Sequence, residues 1–333
     1  DKSSYVLGLA RTLRDLGHTI SAASAFANVI ETNPEDGSVW REAGETALAI
    51  GDFDRAQAWC ERASTISPSD AASLMGSARA LQALGRTREA GERAQAALRI
   101  APHNPDVLMG LGEILSSQGK LEKAIRAYDQ ALAVSDDPIA VQLLRCDLMV
   151  KLGRAPQAVE QMIEIVRQEP SDDRIWSALT LALEHVGDLE SALETATRAA
   201  RLAPRNAHYR MTLGRICRKS GHLDRAIEEL TQAESIDPSE STILIELGHV
   251  YIERRELQRA LEAYQSAISL NPQSAPAHFG AAMALKELKN YQQASEHLQK
   301  ALDLDPNDPE AHQQLAAVRA LALVHGGILQ PVE

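Results

Sequence analysis

The sequence predicts an all-α protein made of antiparallel helix pairs in tandem, and three residue types falling on one 34-residue grid predict it. Proline stands at Pro34, Pro68, Pro102, Pro170, Pro204, Pro238, Pro272 and Pro306, and only Asp136 breaks the series. Alanine holds the same register at Ala22, Ala56, Ala90, Ala124, Ala158, Ala192, Ala226, Ala260 and Ala294. Glycine follows it at Gly17, Gly51, Gly85, Gly119, Gly153, Gly187 and Gly221.

With the third residue after each grid proline taken as repeat position 1, nine repeats fill residues 3–308 without an insertion. Their expected bounds are 3–36, 37–70, 71–104, 105–138, 139–172, 173–206, 207–240, 241–274 and 275–308. In residues 241–274 the apolar residues recur at helical spacing in two runs, broken near position 15 and again at the proline, so each repeat reads as a helix hairpin. Glycine near position 15 suits the left-handed turn that closes the first helix, and the proline forbids continuation of the second. Alanine at position 20 sits where anything larger than a methyl would push the second helix off the first. Position 8 carries the same demand, met by Ala10, Gly44, Ala78, Gly112, Gly214, Gly248 and Ala282. Residues 309–325 continue the helical period as one capping helix, and 326–333 form a tail. The first repeat opens almost at residue 1 with no polar cap, and the chain begins on Asp1, so a missing preceding element is expected.

These residues resemble the tetratricopeptide repeat. Leu244, Leu247, Gly248, Tyr251, Ala260, Tyr264, Ala267 and Pro272 carry its pattern in one repeat, and Trp40, Gly44, Ala56, Ala63 and Pro68 in another. Departures are local: Arg210 and Gln142 replace a large apolar residue, and Arg255 and Lys289 replace the turn glycine. The resemblance implies a right-handed α-α superhelix whose first helices line a concave groove, with positions 2, 5, 9, 12 and 13 facing into it. It also implies a scaffold or adaptor that binds a peptide or helix of a partner protein there. The alternative is the substrate-docking arm of a larger enzyme, such as a transferase or signalling protein, whose catalytic domain lies outside the chain.

Composition narrows the partners. A net charge of −12 repels phosphate backbones and anionic lipid, so nucleic acid is not expected. No apolar stretch of membrane-spanning length exists, so no insertion is expected either. Three widely spaced cysteines, Cys60, Cys146 and Cys217, form no disulfide framework or zinc pattern, which favours a reducing, cytoplasmic setting. Arginine well above lysine, with abundant alanine, favours a bacterial source.

Catalytic motifs are absent from the sequence, and the chain is expected to be no enzyme and to hold no metal or cofactor. Gly110 and Gly112 fall inside a first helix, where small size serves packing, and the cysteines fall at packing positions. The candidate site is therefore the groove. Position 5 reads Leu7, Arg41, Met75, Met109, Leu143, Ser177, Met211, Ile245 and Phe279, an apolar stripe that either floors the groove or half-packs against the next helix. Arg79, His249 and Met283 join it at position 9. His208, Arg215, Arg218 and Lys219 form a basic cluster in the seventh repeat, with no acidic residue among them, suited to an acidic segment. Flanking acidic groove residues such as Glu184, Glu246 and Glu253 favour a partner of alternating charge. Lysine and asparagine at positions 5 and 9, the carboxylate grip of heat-shock co-chaperones, are absent, as is the asparagine ladder of the nucleocytoplasmic glycosyltransferase arm. End-to-end stacking of copies through the bare first repeat is a third expectation.

Overall fold

A computed structural model describes residues 2–326. They form nineteen α-helices and no strand. Nine hairpins run in chain order: α1 (Lys2–Asp15) with α2 (Thr19–Thr32), α3 (Gly37–Ala49) with α4 (Phe53–Ile66), α5 (Ala71–Ala83) with α6 (Thr87–Ile100), α7 (Pro105–Ser117) with α8 (Leu121–Leu132), α9 (Pro138–Lys151) with α10 (Ala155–Gln168), α11 (Asp173–Val186) with α12 (Leu189–Leu202), α13 (Ala207–Lys219) with α14 (Leu223–Ile236), α15 (Ser241–Glu253) with α16 (Leu257–Leu270), and α17 (Ala275–Glu287) with α18 (Tyr291–Leu304). A last helix, α19 (Pro309–Gly326), packs on α18. Of the expected tail, residues 327–333 lie outside the described residues.

The chain divides into two compact halves, Asp1–Ala158 and Val159–Glu333. Within each half the short turns leave neighbouring helices antiparallel, and first helices also touch one another, α3 with α5 and α5 with α7, then α13 with α15 and α15 with α17. One face of each half is therefore built from first helices.

Position 20 explains the alanine register: all nine of these alanines are fully buried. Position 24, one turn further along the second helix, carries the side chain that fills the hairpin. Cys60 sits between Gly44 of its own repeat and Gly76 of the next, where an added Cβ on Gly76 would come within 2.7 Å of Sγ. Tyr264 repeats the arrangement between Gly248 and Gly280, with a Cβ on Gly248 reaching 2.6 Å from the ring. Gly44 with Gly76, and Gly248 with Gly280, thus make room for a side chain from the second helix. In these two places a position-24 side chain is matched by glycine at position 8 of its own repeat and position 6 of the next.

Helix ends follow ordinary capping chemistry: Asp36, Asp70, Asn104, Asp172 and Asn206 accept backbone N–H bonds at the starts of α3, α5, α7, α11 and α13. The seven turn glycines take left-handed backbone. Arg255 (φ 63°) and Lys289 (φ 66°) adopt the same conformation without glycine's freedom, at about 1–2 kcal/mol each. Arg255 is held to Glu287 at 2.8 Å.

The grid prolines do more than stop a helix. Where position 4 is Trp, Arg or His, it donates to the proline carbonyl six residues back: Trp40 Nε1 to Pro34 (3.0 Å), Trp176 Nε1 to Pro170 (2.9 Å), Arg210 Nε to Pro204 (3.0 Å) and His312 Nε2 to Pro306 (2.9 Å). Arg210, a departure from the family pattern, therefore keeps the donor role of the ring it replaces, and Glu229 holds its guanidinium at 2.9 Å. In the ninth repeat His278 Nε2 bonds the Pro272 carbonyl (3.3 Å) while its Nδ1 lies 3.1 Å from Nδ1 of His297. With Nε2 of His278 donating, its Nδ1 accepts, and the proton between the rings belongs to His297.

Burial, and then the neighbouring His278 ring, push the His297 imidazole below the ordinary histidine value, against a smaller opposing pull from Glu296. A histidine lowered in the folded state contributes stability that is complete above its unfolded pKa of about 6.5 and is lost as pH falls through the folded value. The second half is accordingly expected to melt at lower temperature as pH drops below about 6.5, and His297→Gln to flatten that dependence. Circular-dichroism melts across the pH range check this, and an unchanged slope in the variant would contradict it.

Candidate partner-binding face

The first-helix face brings the expected residues to different fates. Met75 and Ile245 are buried, at 3% and 8% exposure, and this corrects their place in the groove. Met75 packs over Gly110 of the next repeat, with Sδ 2.7 Å from where a Cβ there would stand. Its energy goes into stacking repeats and little surface remains for a partner. Met109, Leu143, Met211 and Phe279 are half-buried, so position 5 is chiefly an inter-repeat contact. Met211 also receives a contact from the Thr242 hydroxyl at 3.3 Å. Arg79 is exposed and paired with Glu113 at 3.4 Å. His208 is exposed at the start of α13, beside an open depression lined by Arg205, Asn206, Ile236 and Asp237.

In the basic cluster of the seventh repeat, Arg215, Arg218 and Lys219 are each paired with a carboxylate of a neighbouring repeat. Glu184 of the preceding repeat takes both Arg215 (3.0 Å) and Lys219 (2.7 Å). Arg218 reaches forward to Glu246 (3.3 Å) and Glu253 (2.7 Å). Burial would raise the Glu246 carboxyl, but His249 (Nδ1 3.7 Å away) and Arg218 together hold it below the ordinary carboxylate value. Each cation has its carboxylate one repeat away, and the network neutralises itself. The same device recurs in the first half, where Arg14 (3.0 Å) and Arg11 share Glu42.

What remains open is apolar. Between α15 and α17 a cleft of about 250 Å³ is lined by Arg218, His249, Ile252, Glu253, Tyr264, Phe279, Gly280 and Met283. Five of these, Arg218, His249, Glu253, Phe279 and Met283, were expected on the groove from the sequence. A second depression of about 390 Å³ continues it toward the helix C-termini, sharing Ile252, Glu253 and Met283 and adding Arg255, Lys286 and Glu287. The sequence reading missed Tyr264 and Ile252. Ile252 occupies position 12, already a groove position, and Tyr264 reaches the cleft floor because Gly248 and Gly280 leave room for its ring. That aromatic between two glycines was the available signal.

The three thiols are buried. Burial pushes Cys60 up to about 12 and Cys217 to about 11, and raises Cys146 as well, so all three are protonated and unreactive near neutrality. Among the described residues no three of His, Cys, Asp and Glu gather where they could hold a metal ion, and no helix is long and apolar enough to cross a membrane.

Tandem helix hairpins with a face of first helices define the class of helical-repeat scaffolds for protein interaction. Two family models, both described as tetratricopeptide repeat, match residues 81–145, 115–182 and 251–318, and residues 7–71 and 182–241. The chain belongs to the tetratricopeptide-repeat family. A solved tetratricopeptide repeat protein from Parabacteroides merdae is similar at 15% identity and a TM-score of 0.59, over 75% of this chain and 98% of that one. The APC/C hetero-tetramer Cut9-Hcn1 is similar at 17% identity and 0.57, over 84% of this chain. This chain spans 55% of that structure's length. At such identities the likeness is one of fold. No curated protein matches the sequence.

Proposed function

We propose that the chain is a non-catalytic scaffold of nine repeats, 3–36 to 275–308, capped by the helix of 309–325, and that its first-helix face between α15 and α17 seats an apolar side chain of a partner protein or peptide. One observation supports this reading: the cleft between α15 and α17 joins the apolar side chains of Ile252, Phe279 and Met283 beside the ion-paired Arg218 and Glu253. A side chain entering it displaces water from Phe279, Met283 and Ile252, and the rim offers His249 and Glu253 to orient a polar neighbour. Cationic groove residues already paired, in a molecule of charge −12, argue against nucleic acid as the partner. Protonated, buried thiols suit a reducing cytoplasm.

Peptides selected from a random display library on the intact chain supply the test. Met283 is half-buried at the cleft, so Met283→Arg fills the cleft with a charge while its stem still covers the helix. Affinity for cleft-dependent peptides is expected to fall at least about tenfold, equivalent to about 1.4 kcal/mol, with helicity unchanged. Peptides that bind wild type and variant equally would place the seat elsewhere.

A further inference from the structure

The ninth repeat sets two imidazoles against each other where its neighbours set other chemistry. Repeat positions 4 and 23 meet across the seventh hairpin, where Arg210 binds Glu229 at 2.9 Å. The eighth repeat fills the same two positions with Leu244 and Ala263, both buried. In the ninth they bring His278 of α17 and His297 of α18 to an Nδ1–Nδ1 separation of 3.1 Å, with ring centroids 5.3 Å apart.

Both nitrogens are prepared as ligands, each in its own way. His278 is buried and its Nε2 donates to the Pro272 carbonyl, which fixes the tautomer and leaves a lone pair on Nδ1. A ligating histidine commonly hands its other N–H to a carbonyl in this manner. His297 is half-buried, and among the described residues no hydrogen bond other than that to His278 holds its ring. It can therefore turn to aim its own lone pair at an ion seated beside the line between the two nitrogens. Burial and the neighbouring ring also keep it neutral near pH 7.

Distance and donor type select the ion. With metal–nitrogen bonds of about 2.0–2.1 Å, two donors lie about 2.8–3.0 Å apart at a right angle and about 3.3–3.4 Å apart at the tetrahedral angle. The observed 3.1 Å falls between the two. Calcium and magnesium take oxygen ligands, whereas imidazole suits zinc and copper. We propose that His278 and His297 together bind a borderline divalent metal ion, of the Zn²⁺ and Cu²⁺ kind, through their Nδ1 atoms. The ion takes the place of the proton that the rings share. That proton leaves Nδ1 of His297 for water, Nε2 of the same ring takes one up, and both imidazoles stay neutral. Among the described residues no third His, Cys, Asp or Glu joins the pair, so the remaining positions fall to water and the ion exchanges freely. This proposal is independent of what the cleft between α15 and α17 seats.

Titration of the intact chain with Zn²⁺ and with Cu²⁺, each in competition with a chromophoric chelator, tests it. The tightest ion is expected to bind the wild type at least about tenfold more strongly than it binds His278→Gln or His297→Gln, equivalent to about 1.4 kcal/mol. Glutamine at 278 can still donate to Pro272, and position 297 is only half-buried, so helicity should be unchanged in both. His312→Gln removes a histidine with the same kind of proline contact and should bind as the wild type does. Electron paramagnetic resonance of the Cu²⁺ form should show two imidazole nitrogens on the ion. A wild type that binds no tighter than the two variants, or a spectrum with a single imidazole, overturns the proposal and leaves a hydrogen-bonded pair only. Binding lost in His312→Gln overturns it as well, by placing the ion at another histidine.

Discussion

Tyr264→Ala is expected to cost roughly 3–5 kcal/mol, the largest loss of any single truncation in the second half. The ring is fully buried and fills the space left by Gly248 in its own repeat and Gly280 in the next. Neither glycine can relax into the void, because neither has a side chain, so the cavity persists and its lining loses contacts on three helices at once. In stacked repeats stability is roughly a sum of hairpin and neighbour-interface terms, and the loss should concentrate at the junction of α15, α16 and α17. Chemical denaturation measures the total. Hydrogen exchange should show faster exchange across residues 241–304 than in the first half. Tyr264→Phe, which keeps the volume, is expected to stay within about 1.5 kcal/mol of wild type. A Tyr264→Ala variant as stable as the phenylalanine variant would mean that glycine pairing with position 24 is not what holds the hairpins together.

The architecture was legible because its signals are demands of local backbone. A proline ends a helix, a left-handed turn favours glycine and a close helix crossing needs a methyl; the alanine is written in every repeat, the proline in all but one and the glycine in all but two. The site was legible only in part, because its determinants lie one repeat apart. Arg215, Arg218 and Lys219 look like an unopposed basic face within their own repeat, yet Glu184, Glu246 and Glu253 come from the hairpins on either side. Reading charges at offsets near 34 residues would have paired them, as it would have paired Arg11 with Glu42. Met75 looks like open groove for the same reason: its side chain fills the space that Gly110 leaves in the next repeat. Arg210 was hidden more deeply, since nothing in its hydropathy shows that the position asks for an N–H aimed at Pro204.

Glu184→Gln tests whether that cross-repeat network is structural. Glu184 is 10% exposed at its side chain and is the carboxylate that both Arg215 and Lys219 reach. Neutralising it leaves two cations side by side with the desolvation already incurred. For wholly buried charges the penalty would be several kcal/mol, but Arg215 and Lys219 keep 28% and 43% of their side-chain surface in water. A loss of about 1–3 kcal/mol is expected. Because part of that loss is repulsion between Arg215 and Lys219, it should shrink in about 1 M salt, where the screening length falls to about 3 Å. Adding Lys219→Gln to Glu184→Gln should recover part of the stability, since it removes one of the two like charges. Disruption of Arg88 with Glu92, a pair spread over open surface, is the control and should leave stability unchanged. Denaturation of wild type, the two single variants, the double variant and the control at low and high salt decides the matter. A Glu184→Gln penalty that is independent of salt and additive with Lys219→Gln would make these contacts incidental, and the basic cluster would again be open to an acidic partner.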